Sequence, residues 1–193
     1  MCHYCGCRKI PLIKEFIAEH ERVTDAAGDA VRALERGDTS AAGELVDVMS
    51  RELATHWQGE EDGLFAVMRD DPEYTDYIDA LVAEHCELAG LLLPALDLAD
   101  PTDVHRFTVA ADELHRHIAK EEDGLFPASL TALSGDEWNA SMAAWRAAHP
   151  QENQGWTQRR GERRPPRVQV SRDERGRGGK GSTGQLPTPA ERC

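Results

Sequence analysis

A ten-residue pattern that occurs twice constrains this chain more than anything else in it. Residues 56–65 read His-Trp-Gln-Gly-Glu-Glu-Asp-Gly-Leu-Phe, and residues 117–126 read His-Ile-Ala-Lys-Glu-Glu-Asp-Gly-Leu-Phe. Both copies contain His-x-x-x-Glu. On an α-helix those two positions lie about 40° apart around the axis and about 6 Å apart along it, so the two side chains reach toward one point. Each copy is preceded by a stretch carrying a Glu-His step, Glu19-His20 and Glu84-His85. A fold that uses all of these must bring four helices together.

Helical periodicity runs from about residue 10 to 148, and no stretch alternates with period two for long enough to argue a strand. The first helix is predicted over Pro11 to Glu35, with Ile13, Phe16, Ile17, His20, Val23, Ala27, Val31 and Leu34 on one stripe and Gly37 as its stop signal. The second starts near Thr39 or Ser40 and aligns Leu45, Met49, Leu53, His56, Glu60 and Leu64. Asp71-Pro72 is expected to open the third, whose stripe is Tyr74, Ile78, Leu81, Val82, His85, Leu88 and Leu92 before Pro94 ends it. Asp100-Pro101 repeats the start signal for the fourth, with Ala110, Leu114, His117, Glu121 and Leu125 aligned and Pro127 expected to close it. A short fifth helix fits Asp136 to Ala148, packing through Trp138, Met142 and Trp145. Short connections favour antiparallel neighbours. The expected fold is all-α: an up-down-up-down four-helix bundle over residues 10–150 with a short fifth helix, after a Cys-rich segment 1–9.

After Pro150 apolar residues nearly vanish. Residues 151–193 hold ten Lys and Arg against five Asp and Glu, which leaves twelve basic and thirty acidic residues in 1–150. The basic tail cannot bury enough surface to offset its ordering entropy and is expected to be disordered. It reads as a solvated appendage, with contact to RNA or an acidic partner as the alternative. The acidic body repels nucleic-acid phosphates and anionic membranes, so neither is an expected partner of the bundle. No apolar run is long enough for a membrane span, and no secretory h-region begins the chain, so a cytoplasmic location is expected.

Four of the eight histidines and two glutamates fall on core-facing stripes. Burying ionised carboxylates without partners costs several kcal/mol or forces protonation. A hydrogen-bonded polar core is one solution. A cation is the other, held by His20, His56, Glu60, His85, His117 and Glu121. Mixed imidazole and carboxylate donors suit iron or manganese better than a structural zinc or a calcium site. Six such donors fit a pair of metals, with His20 and His56 on one ion, His85 and His117 on the other, and Glu60 and Glu121 between them.

The order His20, His56-x-x-x-Glu60, His85, His117-x-x-x-Glu121 resembles the hemerythrin-like, HHE cation-binding family over about residues 10–130. The resemblance implies a non-haem centre with two irons per chain, oxo- or hydroxo-bridged, that binds or senses oxygen, nitric oxide, peroxide or iron itself. An enzyme that breaks down peroxide is the alternative it allows. The oxygen carriers of that family have His-x-x-x-His on the third helix, whereas Ala89 stands four after His85, and their last carboxylate is an aspartate five after its histidine, whereas Glu121 follows His117 by four. Both departures favour reactivity, sensing or storage over reversible carriage.

The neighbouring polar residues have bland readings. Glu19, Glu61, Glu84 and Glu122 fit a solvated face, with hydrogen bonding to the ligands, or service as extra ligands, as the alternatives. His105, His115 and His149 read as surface. Gly63 and Gly124, costly inside a helix, suggest a close contact or a kink. At the amino terminus Cys2, Cys5 and Cys7 form a candidate second metal or redox site: a loop for zinc or one iron ion lacking its fourth ligand, a thiol activated by Arg8 and Lys9, or free thiols on a flexible end; a helical protein that works through a zinc-binding Cys-rich N-terminus is thus a second alternative function. Their close spacing argues against a disulfide framework, and Cys86 reads as a small buried residue.

Overall fold

The computed structural model describes residues 6–150; Cys2 and Cys5, within residues 1–5, and the tail 151–193, expected to be disordered, lie outside them. A 3-10 turn, Cys7–Lys9, leads into helix α1, Pro11–Glu35. Helix α2 is Thr39–Gly59, continued by a π-helical stretch, Glu60–Phe65, and a last α-turn, Ala66–Arg69. Helix α3 is Thr75–Leu92 and helix α4 is Pro101–Lys120. The latter also runs on through a π-helical stretch, Glu121–Leu125, into Phe126–Ala132. Helix α5, Gly135–Ala148, completes the set, and the described residues contain no strand.

Local chemistry accounts for most of these boundaries. Gly37 at φ 75° ends α1, with Asp38 N–H bonded to Ala33 O and Gly37 N–H to Leu34 O. That left-handed residue and its two reversed bonds satisfy carbonyls the helix would otherwise leave bare. Asp38 then caps α2 through the Ala41 amide, and Asp100 caps α4 through the Thr102 amide. Ser134 and Glu137 form a reciprocal capping box on α5.

Two expected boundaries differ. Asp71-Pro72 does not open α3: residues 71–74 form a turn and the helix begins at Thr75, whose hydroxyl bonds back to Arg69 O. Pro127 does not close α4. The wide π-turn before it restarts the helix at Phe126, which places Pro127 in a first turn where its missing N–H leaves no bond unmade.

The core is two apolar clusters with a polar layer between them. One contains Phe16, Leu64, Phe65, Ile78, Leu81, Leu125 and Phe126; the other contains Val23, Met49, Leu53, Trp57, Leu88, Phe107 and Leu114. Helices α1 and α3 run from the first cluster to the second, while α2 and α4 run back, which is the up-down-up-down order. Each crosses the middle layer once, at His20, at His56 and Glu60, at His85, and at His117 and Glu121, all of them buried. None of the described helices is long and apolar enough to cross a membrane.

Candidate metal centre

The six buried side chains of the middle layer face one another. The rings of His20 and His56 lie 4.7 Å apart, as do those of His85 and His117. Glu121 reaches both pairs: Oε2 is 3.1 Å from His20 Nε2, and Oε1 is 3.0 Å from His117 Nε2 and 3.6 Å from His85 Nε2. Glu60 Oε2 is 3.3 Å from His56 Nε2 and 3.6 Å from His85 Nε2. Two groups result that could each hold an ion: His20, His56, Glu60 and Glu121 in one, and His85, His117 and Glu121 in the other.

The outward ring nitrogens fix how the inward ones are used. Nδ1 of His20 meets Glu122 at 3.1 Å, Nδ1 of His56 meets Glu19 at 2.7 Å, Nδ1 of His85 meets Glu61 at 2.9 Å and Nδ1 of His117 meets Glu84 at 2.9 Å. An ionised carboxylate only accepts, so each Nδ1 donates, and in the neutral ring the Nε2 lone pair is left pointing inward. The four bonds form a closed circuit around the bundle. Helix α1 leans on the extension of α4, α4 on α3, α3 on the extension of α2, and α2 on α1. Every bracing glutamate is a chain neighbour of a residue in the layer, yet serves a histidine on a different helix.

Glu19, Glu61, Glu84 and Glu122, expected on a solvated face, instead each hold a histidine of the layer. The Glu-His and Glu-Glu doublets were the available signal: adjacent helical positions turn by about 100°, so one residue can face the axis while the next reaches a neighbour. His149 is also corrected. It is buried, stacked on Trp145 at 4.5 Å, and its Nε2 lies 3.1 Å from Glu19. His105 and His115 are exposed, as expected.

The inward-facing donors fit a cation. Nε2 of His20, His85 and His117 and both oxygens of Glu60 and Glu121 are buried without a hydrogen-bond partner. Lone pairs facing lone pairs at 3.0–3.6 Å are costly unless a positive charge sits among them. In the metal-free chain that charge must be protons. Burial and the nearby Glu121 push the Glu60 carboxyl well above its usual range. Burial pulls the other way on Glu121, but the His117, His20 and His85 rings hold it well below. Burial would lower His20, yet Glu121 and Glu122 raise it to about 9, whereas burial dominates at His56 and lowers it.

Both π-helical stretches coincide with the repeated Glu-Glu-Asp-Gly-Leu and begin at the inward glutamates, four residues after the histidines. Such single wide turns inside α-helices recur at functional sites. The repeated glycines have different tasks. A Cβ at Gly63 would lie 2.9 Å from the Ser141 carbonyl of α5, and one at Gly124 would lie 2.5 Å from the Tyr77 hydroxyl. Around the layer the rings are packed by Phe126 on His20, Phe16 against His56, and Trp57 and Phe65 on the two faces of His85.

Of the amino-terminal cysteines only Cys7 is described, and it is disulfide-bonded, as is Cys86. This overturns the reading of both as thiols and removes Cys7 as a zinc thiolate in this state. Arg8, expected to activate a thiol, instead bonds Glu122 at 3.0 Å. Ala89 is buried in the apolar cluster beside His85 and adds no donor.

No curated protein and no solved structure matches the chain. A family model does: that of the hemerythrin HHE cation-binding domain aligns with residues 12–129, which contain all six inward-facing side chains and the four glutamates that brace them. The match spans more than half of the chain, and the chain belongs to the hemerythrin HHE cation-binding domain family.

Proposed function

We propose that this protein is a non-haem di-iron protein that binds or senses a small ligand, of the class of oxygen, nitric oxide or peroxide. The observation that carries the reading is the buried layer of inward-facing imidazole and carboxylate atoms that lack hydrogen-bond partners. Its donor set, nitrogen and oxygen without thiolate, suits iron or manganese. Bound iron would supply redox chemistry and Lewis acidity there.

The chain's own residues would hold, orient and shield. His20 and His56 with Glu60 and Glu121 form the fuller group, and His85 and His117 with Glu121 the sparser one. The sparser half also lies beside two surface clefts. One, of 360 Å³, is lined by Glu61, Phe65, Ile78 and Val82; the other, of 240 Å³, by Glu84, Leu88, Leu91 and His117. Helix α5 covers the bundle elsewhere, against α1, α2 and the π-helical extension of α2. A small ligand would therefore approach from the His85 and His117 side, where fewer protein donors compete for the ion.

Binding is favoured over turnover by what surrounds the layer. Phe16, Trp57, Phe65 and Phe126 pack the rings, and the glutamates around them, Glu19, Glu61, Glu84 and Glu122, are engaged with the histidine Nδ1 hydrogens, so none stands as a dedicated proton donor to a bound ligand. The test is metal analysis and the optical spectrum of aerobically purified protein, followed by peroxide. About two irons per chain with charge-transfer absorption, and one spectral change without continuing oxygen release, is the expected result. Steady oxygen release would make the protein an enzyme instead. Stoichiometric zinc without visible absorption would overturn the di-iron reading.

A further inference from the structure

Helix α5 lies beyond residues 12–129, yet it reaches the metal layer through Glu19. Glu19 is buried and uses Oε2 to take the Nδ1 hydrogen of His56. Its other oxygen, Oε1, takes the indole N–H of Trp145 at 2.7 Å and faces His149 Nε2 at 3.1 Å. Burial alone would raise this carboxyl, but the bonds from His149 and His56 hold it below its ordinary range.

The second half of the bundle solves the same problem without α5. There Glu84 takes the Nδ1 hydrogen of His117 on Oε2, and Oε1 takes Lys120 Nζ. Lys120 is the residue just before Glu121. Its counterpart in the first repeat, just before Glu60, is Gly59. A Cβ at Gly59 would lie 3.2 Å from Trp145 and 3.4 Å from His149. The missing side chain makes room for α5, and Trp145 and His149 reach the oxygen that a lysine reaches in the other half.

We infer that Trp145 and His149 are positioning residues of the metal centre: by anchoring Glu19 they orient His56, so that retention of the ion in the His20 and His56 half depends on α5. Lys120 has the same task for the His85 and His117 half. The inference rests on the metal reading proposed above and extends the site beyond the residues that carry the family match.

The test uses the full chain loaded with cadmium ions alone and followed by NMR, which gives one resonance per bound ion. The variants are Trp145→Phe, the double variant Trp145→Phe/His149→Leu, His149→Gln and Lys120→Met. Wild type should give two resonances. Trp145→Phe and the double variant should shift one of them and release that ion to chelator more readily, by up to about 10-fold, the low end of the effect of losing an outer partner of a ligand, because Glu19 itself stays in place. Lys120→Met should move the other resonance. His149→Gln, which keeps an N–H for Glu19, should resemble wild type. Trp145→Phe keeps an aromatic ring at that place and part of the packing, so it answers the question should the double variant fail to fold. Equal change at both resonances, or none, overturns the inference while leaving the metal reading intact. Absence of both cadmium and iron binding by wild type overturns both.

Discussion

Glu84 accepts the Nδ1 hydrogen of His117 at 2.9 Å, although its own chain neighbour is His85. The bond joins α3 to α4 and sets the His117 lone pair toward Glu121. Outer partners of this kind are worth about 10–100-fold in metal affinity. Glu84→Ala should weaken metal retention by about that factor. Glu84→Gln, which keeps an acceptor oxygen, should lose less. Competition with a coloured chelator measures both, and equal affinity in wild type and Glu84→Ala would exclude this role.

Glu121 differs from the other five inward residues because it belongs to both groups. Glu121→Ala should therefore reduce both ions together. His20→Ala should first reduce the content toward one, since it removes a donor from one group only. Metal content per chain after gel filtration separates the two patterns. An unchanged metal content in Glu121→Ala would take that residue out of the site.

The pH dependence has two opposite signs. His20 is raised from 6.5 to about 9 in the folded, metal-free chain, chiefly against burial by Glu121 and Glu122. A raised folded value contributes stability that is complete below pH 6.5 and is lost as pH rises through about 9. The raised Glu60 carboxyl works in the same direction. The metal-free protein should lose stability between pH 6.5 and 9, measured by urea midpoints. Metal must displace those protons, so metal affinity should rise over the same window, with proton release visible by calorimetry in buffers of different ionisation enthalpy. Parallel trends would contradict the assignment.

Gly63 and Gly124 occupy equivalent places in the repeat but should respond differently to alanine. At Gly63 the new methyl meets backbone, the Ser141 carbonyl at 2.9 Å, and α5 must shift. Overpacking of that kind costs about 1–3 kcal/mol, more than the gain of about 1 kcal/mol from replacing a helical glycine. At Gly124 the obstacle is the end of the Tyr77 side chain, which is partly exposed. Gly124→Ala should cost less, and adding Tyr77→Phe should recover part of the loss, since it removes the clashing hydroxyl together with that hydroxyl's bond to the Lys120 carbonyl. Thermal melts of the three variants decide it.

Removing metal should loosen the middle of the bundle more than its ends, because the layer then holds only protons among buried carboxylates and imidazoles. Hydrogen exchange should quicken around His56–Phe65 and His117–Phe126 on chelation and slow again on reloading with iron. Uniform protection before and after chelation would show that the layer is stable without a cation.

What the chain's own order of residues determines is periodicity. A helix repeats every 3.6 residues wherever it forms, so the stripes through His20, His56, Glu60, His85, His117 and Glu121 place those six side chains on inward faces before any partner is known. The duplicated decapeptide supplies the bundle's two-halved plan in the same way, and Gly37, Asp38, Asp100 and Ser134 mark ends through bonds to amides a few residues distant. Partnership across the bundle has no such local rule. Glu19, Glu61, Glu84 and Glu122 look like solvated residues on their own helices, and only the neighbouring helix brings a histidine nitrogen to each. His149 and Trp145 reach Glu19 across 126 residues or more, through a contact that exists because Gly59 leaves space for it. Tertiary packing decided these pairings, since the distance between groups on different helices depends on how surfaces fit together and not on their spacing along the chain.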